Sequence, residues 1–127
     1  MGSPAAKQGD SVTATDVHKV QPPSGPTVMQ SFDFDGIIDG GLCDSVLIMG
    51  MPAATVDSTA TNMPPHIPES GSFVDPPDNS ATISMGSGTV FIGGKAAARD
   101  GDSADTCNDL GLPMLGTVEA GGSVFIG

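Results

Sequence analysis

The feature that most limits what this chain can fold into is a repeat that runs out of phase with its ends. Three apolar runs close on glycine: Ser45-Val46-Leu47-Ile48-Met49-Gly50, Thr89-Val90-Phe91-Ile92-Gly93 and Ser123-Val124-Phe125-Ile126-Gly127. Small-residue elements follow the first two, Pro52-Ala53-Ala54 and Ala96-Ala97-Ala98-Arg99, and the N-terminus carries its own copy, Pro4-Ala5-Ala6-Lys7. Each copy then reaches an Asp-Ser pair, at Asp10-Ser11, Asp57-Ser58 and Asp102-Ser103. The chain therefore starts inside one unit and stops inside another. Self-similarity at this scale points to one structural unit used three times.

Val, Ile and Phe in short runs bounded by Gly are strand signals, so the expected class is all-β. Gly86-Ser87-Gly88 and Gly121-Gly122 predict tight turns, with Thr82-Ile83-Ser84-Met85 and Thr117-Val118-Glu119-Ala120 pairing back across them. Ala96-Ala97-Ala98, between Gly94 and Gly101, is too short for a stable helix. Polar loops rich in Pro, Asn and Asp are expected at roughly 12–35, 58–80 and 104–115; loops this long in a small domain are functional or tied down. Strand alternation sets Val46 and Ile48 against Leu47, Val90 and Ile92 against Phe91, and Val124 and Ile126 against Phe125. The β-branched set is the expected core, which leaves Leu47, Phe91 and Phe125 as an outward apolar triplet.

The 127 residues are read as one domain, 1–127, with no fused effector domain. There is no Trp or Tyr and only five Phe, so the core is thin; a staple such as a metal ion is expected in a domain of this kind. The net charge of −11 offers no footprint for nucleic acid and is repelled by anionic lipid. No stretch is apolar enough to span a membrane, and the N-terminus lacks the pattern of a signal peptide. Two cysteines, Cys43 and Cys107, do not make a disulfide framework.

Each expected loop holds one good metal-binding side chain: His18, His66 and Cys107. A lone His or Cys reads as an ordinary loop residue, but their equivalent placement in three copies favours a shared site. Imidazole nitrogen and thiolate sulfur suit zinc, and binding energy at such a site is also folding energy. Cys43 aligns with Ser87 and Gly121 at a turn and is read as structural. Asp33, Asp35, Asp39 and Asp44 do not fit a calcium loop and read as a solvated acidic hairpin.

These motifs resemble those of PAAR-repeat proteins, the spike tips of contractile injection machines such as the type VI secretion system. Thr89-Val90-Phe91-Ile92-Gly93-Gly94-Lys95-Ala96-Ala97-Ala98-Arg99-Asp100-Gly101-Asp102 is a close match to the family pattern, and Pro4-Ala5-Ala6-Lys7-Gln8-Gly9-Asp10 is another. Met51-Pro52-Ala53-Ala54-Thr55-Val56-Asp57 is weaker, one residue short and without the glycine. The resemblance implies three pseudo-threefold repeats forming a small cone. It implies a broad base seated on a trimeric β-helical spike protein, and a structural zinc at the apex held by His18, His66 and Cys107. The family's usual fourth ligand, a third histidine, has no counterpart here. The resemblance further implies a cytoplasmic origin, secretion or delivery into a target cell on firing, membrane contact only during puncture, and effectors carried non-covalently.

Two other readings use the same residues. A zinc with an open position could activate water, but that needs a general base. The glutamates are Glu69 and Glu119, and the His-x-Glu and Pro-Cys-x-x-Cys signature of the zinc deaminases is missing. Glu69, three residues after His66, is the one candidate base, and the chain is expected not to be an enzyme. The other reading is a metal-stapled β-repeat adhesion or capping module.

Overall fold

The computed structural model describes residues 2–109 and 114–127. Thirteen strands follow one another in the order β1 (Ser3–Pro4), β2 (Ser11–Gln21), β3 (Val28–Gly40), β4 (Cys43–Ile48), β5 (Met51–Ala53), β6 (Thr59–Asn62) and β7 (Ser72–Phe73), then β8 (Ser80–Ile83), β9 (Phe91–Ile92), β10 (Lys95–Ala96), β11 (Ser103–Asp105), β12 (Gly116–Glu119) and β13 (Phe125–Ile126). No helix occurs among the described residues. The chain is all-β, as the strand signals predict.

Six strands close on themselves in the order β12-β11-β8-β6-β3-β2, with β2 pairing back onto β12 and β7 attached beside β2. Every pairing is antiparallel. Closure removes the open edges that a small sheet would otherwise expose. Each copy contributes one strand after its small-residue element and one before its next apolar run: β2 and β3, β6 and β8, β11 and β12. Pairing within copies alternates with pairing between copies, which gives the barrel its pseudo-threefold symmetry.

The axis is marked by the small-residue elements. The Ala6 amide donates to the Ala98 carbonyl at 2.9 Å, Ala98 to Ala54 at 3.1 Å, and Ala54 to Ala6 at 3.1 Å. This is a closed ring of three backbone hydrogen bonds. Successive side chains of an extended segment point opposite ways. Ala6, Ala54 and Ala98 accordingly enter the barrel core with Val12, Ile38, Ile83 and Val118, while Ala5, Ala53 and Ala97 pack with Ile48 and Ile126 in a second core. All six alanines are fully buried, because nothing larger fits where three backbones meet.

The second core carries three short strand pairs, two of them hairpins. β4 pairs with β5 around Met49-Gly50, and β9 pairs with β10 around Gly93-Gly94. Both turns have two positive φ values, 52° and 84° in one and 60° and 85° in the other, the pattern of a type I′ turn. The third pair joins the two chain ends, with Ser3 opposite Ile126 and Pro4 opposite Phe125.

Three expectations from the sequence are corrected here. The apolar runs do not pair back across Gly86-Ser87-Gly88 or Gly121-Gly122. β8 and β12 belong to the barrel instead, and the turn glycines are those after the runs, where both φ values are positive. Residues 12–35 are not a loop: β2 and β3 are the two longest strands and pair from Ser11↔Ile37 to Val20↔Val28. The second copy of the element is not a residue short. Ser58 stands where Asp10 and Asp102 stand, and its hydroxyl accepts the Thr55 amide at 2.9 Å just as those carboxylates accept the amides of Lys7 and Arg99. Asp57, at φ 78°, replaces the glycine found at φ 93° in Gly9 and 88° in Gly101.

The alternation of the apolar runs is half as expected. Leu47, Phe91 and Phe125 do face outward, 61%, 63% and 61% exposed. Ile48 and Ile126 are buried and Val90 and Ile92 pack against them half-buried, but Val46 and Val124 are exposed, so only part of the β-branched set enters the second core.

Candidate metal centre

β2 alternates inward Val12, Asp16, His18 and Val20 with outward Thr15, Lys19 and Gln21. Because β2 and β3 outrun the short strands of the other copies, they extend past the barrel and the other copies fold against them. β7 pairs with β2 at Val20 and Gln21. Residues of the third copy run beside it too: the Val17 amide donates to Asn108 Oδ1 at 2.8 Å and the Asp109 amide to the Val17 carbonyl at 3.0 Å.

The result is a cluster of four donors, Asp16, His18, His66 and Cys107, whose ligand atoms all lie within 4.8 Å of one another. His66 Nε2 is 3.1 Å from Asp16 Oδ2, and Cys107 Sγ is 3.3 Å from the same oxygen and 3.7 Å from His18 Nε2. The structure thus brings together the three residues singled out in the sequence, one from each copy, and adds Asp16 in the place for which the sequence offered no ligand. Asp16 shares a strand face with His18, two residues away. Reading residues 12–35 as a loop hid that relationship.

Aromatic rings enclose the cluster. Phe32 and Phe73 each pack on His18 at a centroid distance of 5.6 Å, and Phe32 lies 5.2 Å from His66. Phe34, fully buried, sits beneath His66. Three of the five phenylalanines therefore line this one site, where their apolar walls keep water away from the donors.

The electrostatics ask for a cation. Asp16 is fully buried; Thr106 donates a hydroxyl hydrogen bond to it, and the Cys107 thiol lies against it. Burial, then the negative charge of Asp16, pushes the Cys107 thiol up to about 12. A thiolate beside a buried carboxylate is strongly disfavoured unless a positive charge sits between them. Two imidazoles, a thiolate and a carboxylate together make a donor set suited to a tetrahedral divalent ion of the zinc type. The residues fit such an ion, and when bound it would supply charge compensation and a cross-link between the three copies.

The remaining candidates lie elsewhere. Cys43 is away from the cluster, at 3.3 Å from the Ser45 hydroxyl, whose hydrogen bond draws the thiol below its ordinary value. Glu69 is exposed and is not among the converging donors. Asp33, Asp35, Asp39 and Asp44 are solvent-exposed.

The sequence signature of the PAAR motif matches residues 35–109. The chain belongs to the PAAR-motif family. The PAAR motif is associated with structural spike-tip modules of contractile injection systems. The matched span holds the second and third small-residue elements, and the hydrogen-bonded ring places Pro4–Lys7 as the first PAAR element beside them. No curated protein matches the chain significantly.

Proposed function

We propose that this chain is the tip of a contractile injection spike, a single PAAR domain that caps a trimeric β-helical spike protein and narrows its end for puncture of a target membrane. The supporting observation is the division made by the alanine ring. One side carries three equivalent strand pairs whose apolar residues Leu47, Phe91 and Phe125 are exposed to the same degree. The other carries the buried donor cluster. A pseudo-threefold face with one apolar residue per copy is complementary to the end of a true threefold trimer, and an exposed apolar patch on an acidic protein is the mark of an interaction surface.

In this reading the metal is structural zinc. It joins β2 of the first copy to loops of the second and third, which offsets part of the entropy of ordering them. The work of the tip is mechanical, with no turnover. The tip is made in the cytoplasm, leaves on firing, and takes effectors along through non-covalent contacts. A pull-down with a trimeric β-helical spike tests this against an adhesion or capping module. Capture of one chain by three spike chains supports the tip, whereas failure to bind any such trimer counts against it.

A further inference from the structure

The groups just outside the donor cluster treat the two histidines differently. His18 Nδ1 lies 3.1 Å from Asp109 Oδ1 and makes no hydrogen bond to any described residue. Asp109 is itself held in place, since its Oδ2 accepts the Lys19 amide at 2.8 Å. A carboxylate facing a buried imidazole nitrogen favours the proton on that nitrogen. That leaves His18 Nε2, the nitrogen facing Cys107, with its lone pair free.

His66 is set the other way. Asn62 Oδ1 accepts the Asp35 amide at 2.9 Å, and Asn62 Nδ2 donates to Asn79 Oδ1 at 3.1 Å. Asn79 Oδ1 is fixed as an acceptor in turn, because it also takes the His66 amide at 2.9 Å. Two backbone donors thus fix which end of the Asn62 amide is nitrogen. That nitrogen is 3.3 Å from His66 Nδ1, which must act as acceptor. The His66 proton therefore sits on Nε2 and points at Asp16 Oδ2.

We propose that Asp109 and Asn62 hold the two histidines in opposite tautomers, so that His18 is poised to take the metal and His66 joins after it, once Asn62 gives way. The inference deepens the metal reading above and rests on it. Asp109 is a positioning residue for His18, and Asn62 restrains His66. Groups of this kind typically change metal affinity 10–100-fold when removed.

The test is imidazole nitrogen NMR on the full chain, labelled with ¹⁵N, first metal-free and then titrated with zinc. In the metal-free protein the unprotonated nitrogen should be Nε2 in His18 and Nδ1 in His66. On loading, the His18 signals should change at the first increments of zinc, and the His66 proton should appear on Nδ1 in the final complex. Asp109→Ala should weaken zinc binding by about 10–100-fold, and Asn62→Ala should tighten it relative to wild type. The same tautomer in both metal-free histidines, or no tightening in a folded Asn62→Ala variant, overturns the inference while leaving zinc binding intact. Opposite tautomers in a wild-type protein that takes up no zinc overturn the metal reading itself and, with it, the order of ligation.

Discussion

Ala54 donates its amide hydrogen to Ala6 at 3.1 Å, so a residue of the second copy closes on one near the start of the chain. The same bond recurs from Ala6 to Ala98 and from Ala98 to Ala54, and all three side chains are fully buried in the barrel core. Two added methyl groups at any of them would press on the other two copies. Ala54→Val is expected to destabilise the fold by about 1–3 kcal/mol, the usual range for overpacking. Thermal or denaturant unfolding checks it, and a variant as stable as wild type would mean that the ring is looser than its geometry indicates.

The metal account makes a set of linked predictions. Purified protein should carry one zinc per chain. His18→Ala, Cys107→Ala, His66→Ala and Asp16→Ala should each weaken zinc binding and lower the melting temperature, whereas Cys43→Ser should change neither. Elemental analysis and calorimetry read both quantities. A metal-free protein as stable as the loaded one would remove the argument for a structural ion.

How much of this was legible in the sequence depended on which residues face inward. The threefold repeat was plain, because Val-Phe-Ile-Gly and Pro-Ala-Ala are short motifs whose small or β-branched residues are dictated by backbone packing. The strand character of β2 was not. Its inward positions are Val12, Asp16, His18 and Val20, so the donor residues break the apolar alternation by which a strand is recognised. The residues that build the candidate site erase the signal for the element that carries it, and the same effect hides Asp16 as a candidate ligand. The second copy was misaligned by one place because its two defining residues are substituted together, Asp57 for Gly and Ser58 for Asp.

That substitution can be tested. Asp57 holds a positive φ in the position of Gly9 and Gly101, and its side chain makes an exposed ion pair with Lys95 at 3.4 Å. Such a pair adds little. Asp57→Gly should therefore leave stability within about 0.5 kcal/mol of wild type, the ordinary range for a surface change. Asp57→Val should cost about 1–2 kcal/mol, because a β-branched residue is strained there. Equal stability of the two variants would contradict the assigned backbone.

The Cys107 thiol gives a pH dependence of known sign. Its ordinary value is 9.0 and the metal-free fold raises it to about 12, so the fold favours the protonated form. The stabilisation is complete below about pH 9 and is lost as pH climbs towards about 12. Metal-free wild type should then lose stability above pH 9 more steeply than metal-free Cys107→Ser. Zinc affinity should run the opposite way, rising with pH, because the ion takes the thiolate and releases the proton. Parallel stability curves for the two proteins would show that Cys107 is not buried beside Asp16.

The central claim is that the face carrying Leu47, Phe91 and Phe125 seats the chain on a trimeric spike. Phe91 and Phe125 are mostly exposed, so replacing both with Asp removes little core and should leave the fold and its zinc in place. A buried aromatic would instead cost about 3–5 kcal/mol on truncation. The decisive measurement is the mass of the complex with a trimeric β-helical spike, for wild type and for Phe91→Asp with Phe125→Asp. The account predicts one wild-type chain per spike trimer and no complex with the folded, zinc-loaded double variant. A double variant that folds and still binds the trimer as wild type does would place the contact elsewhere and contradict it.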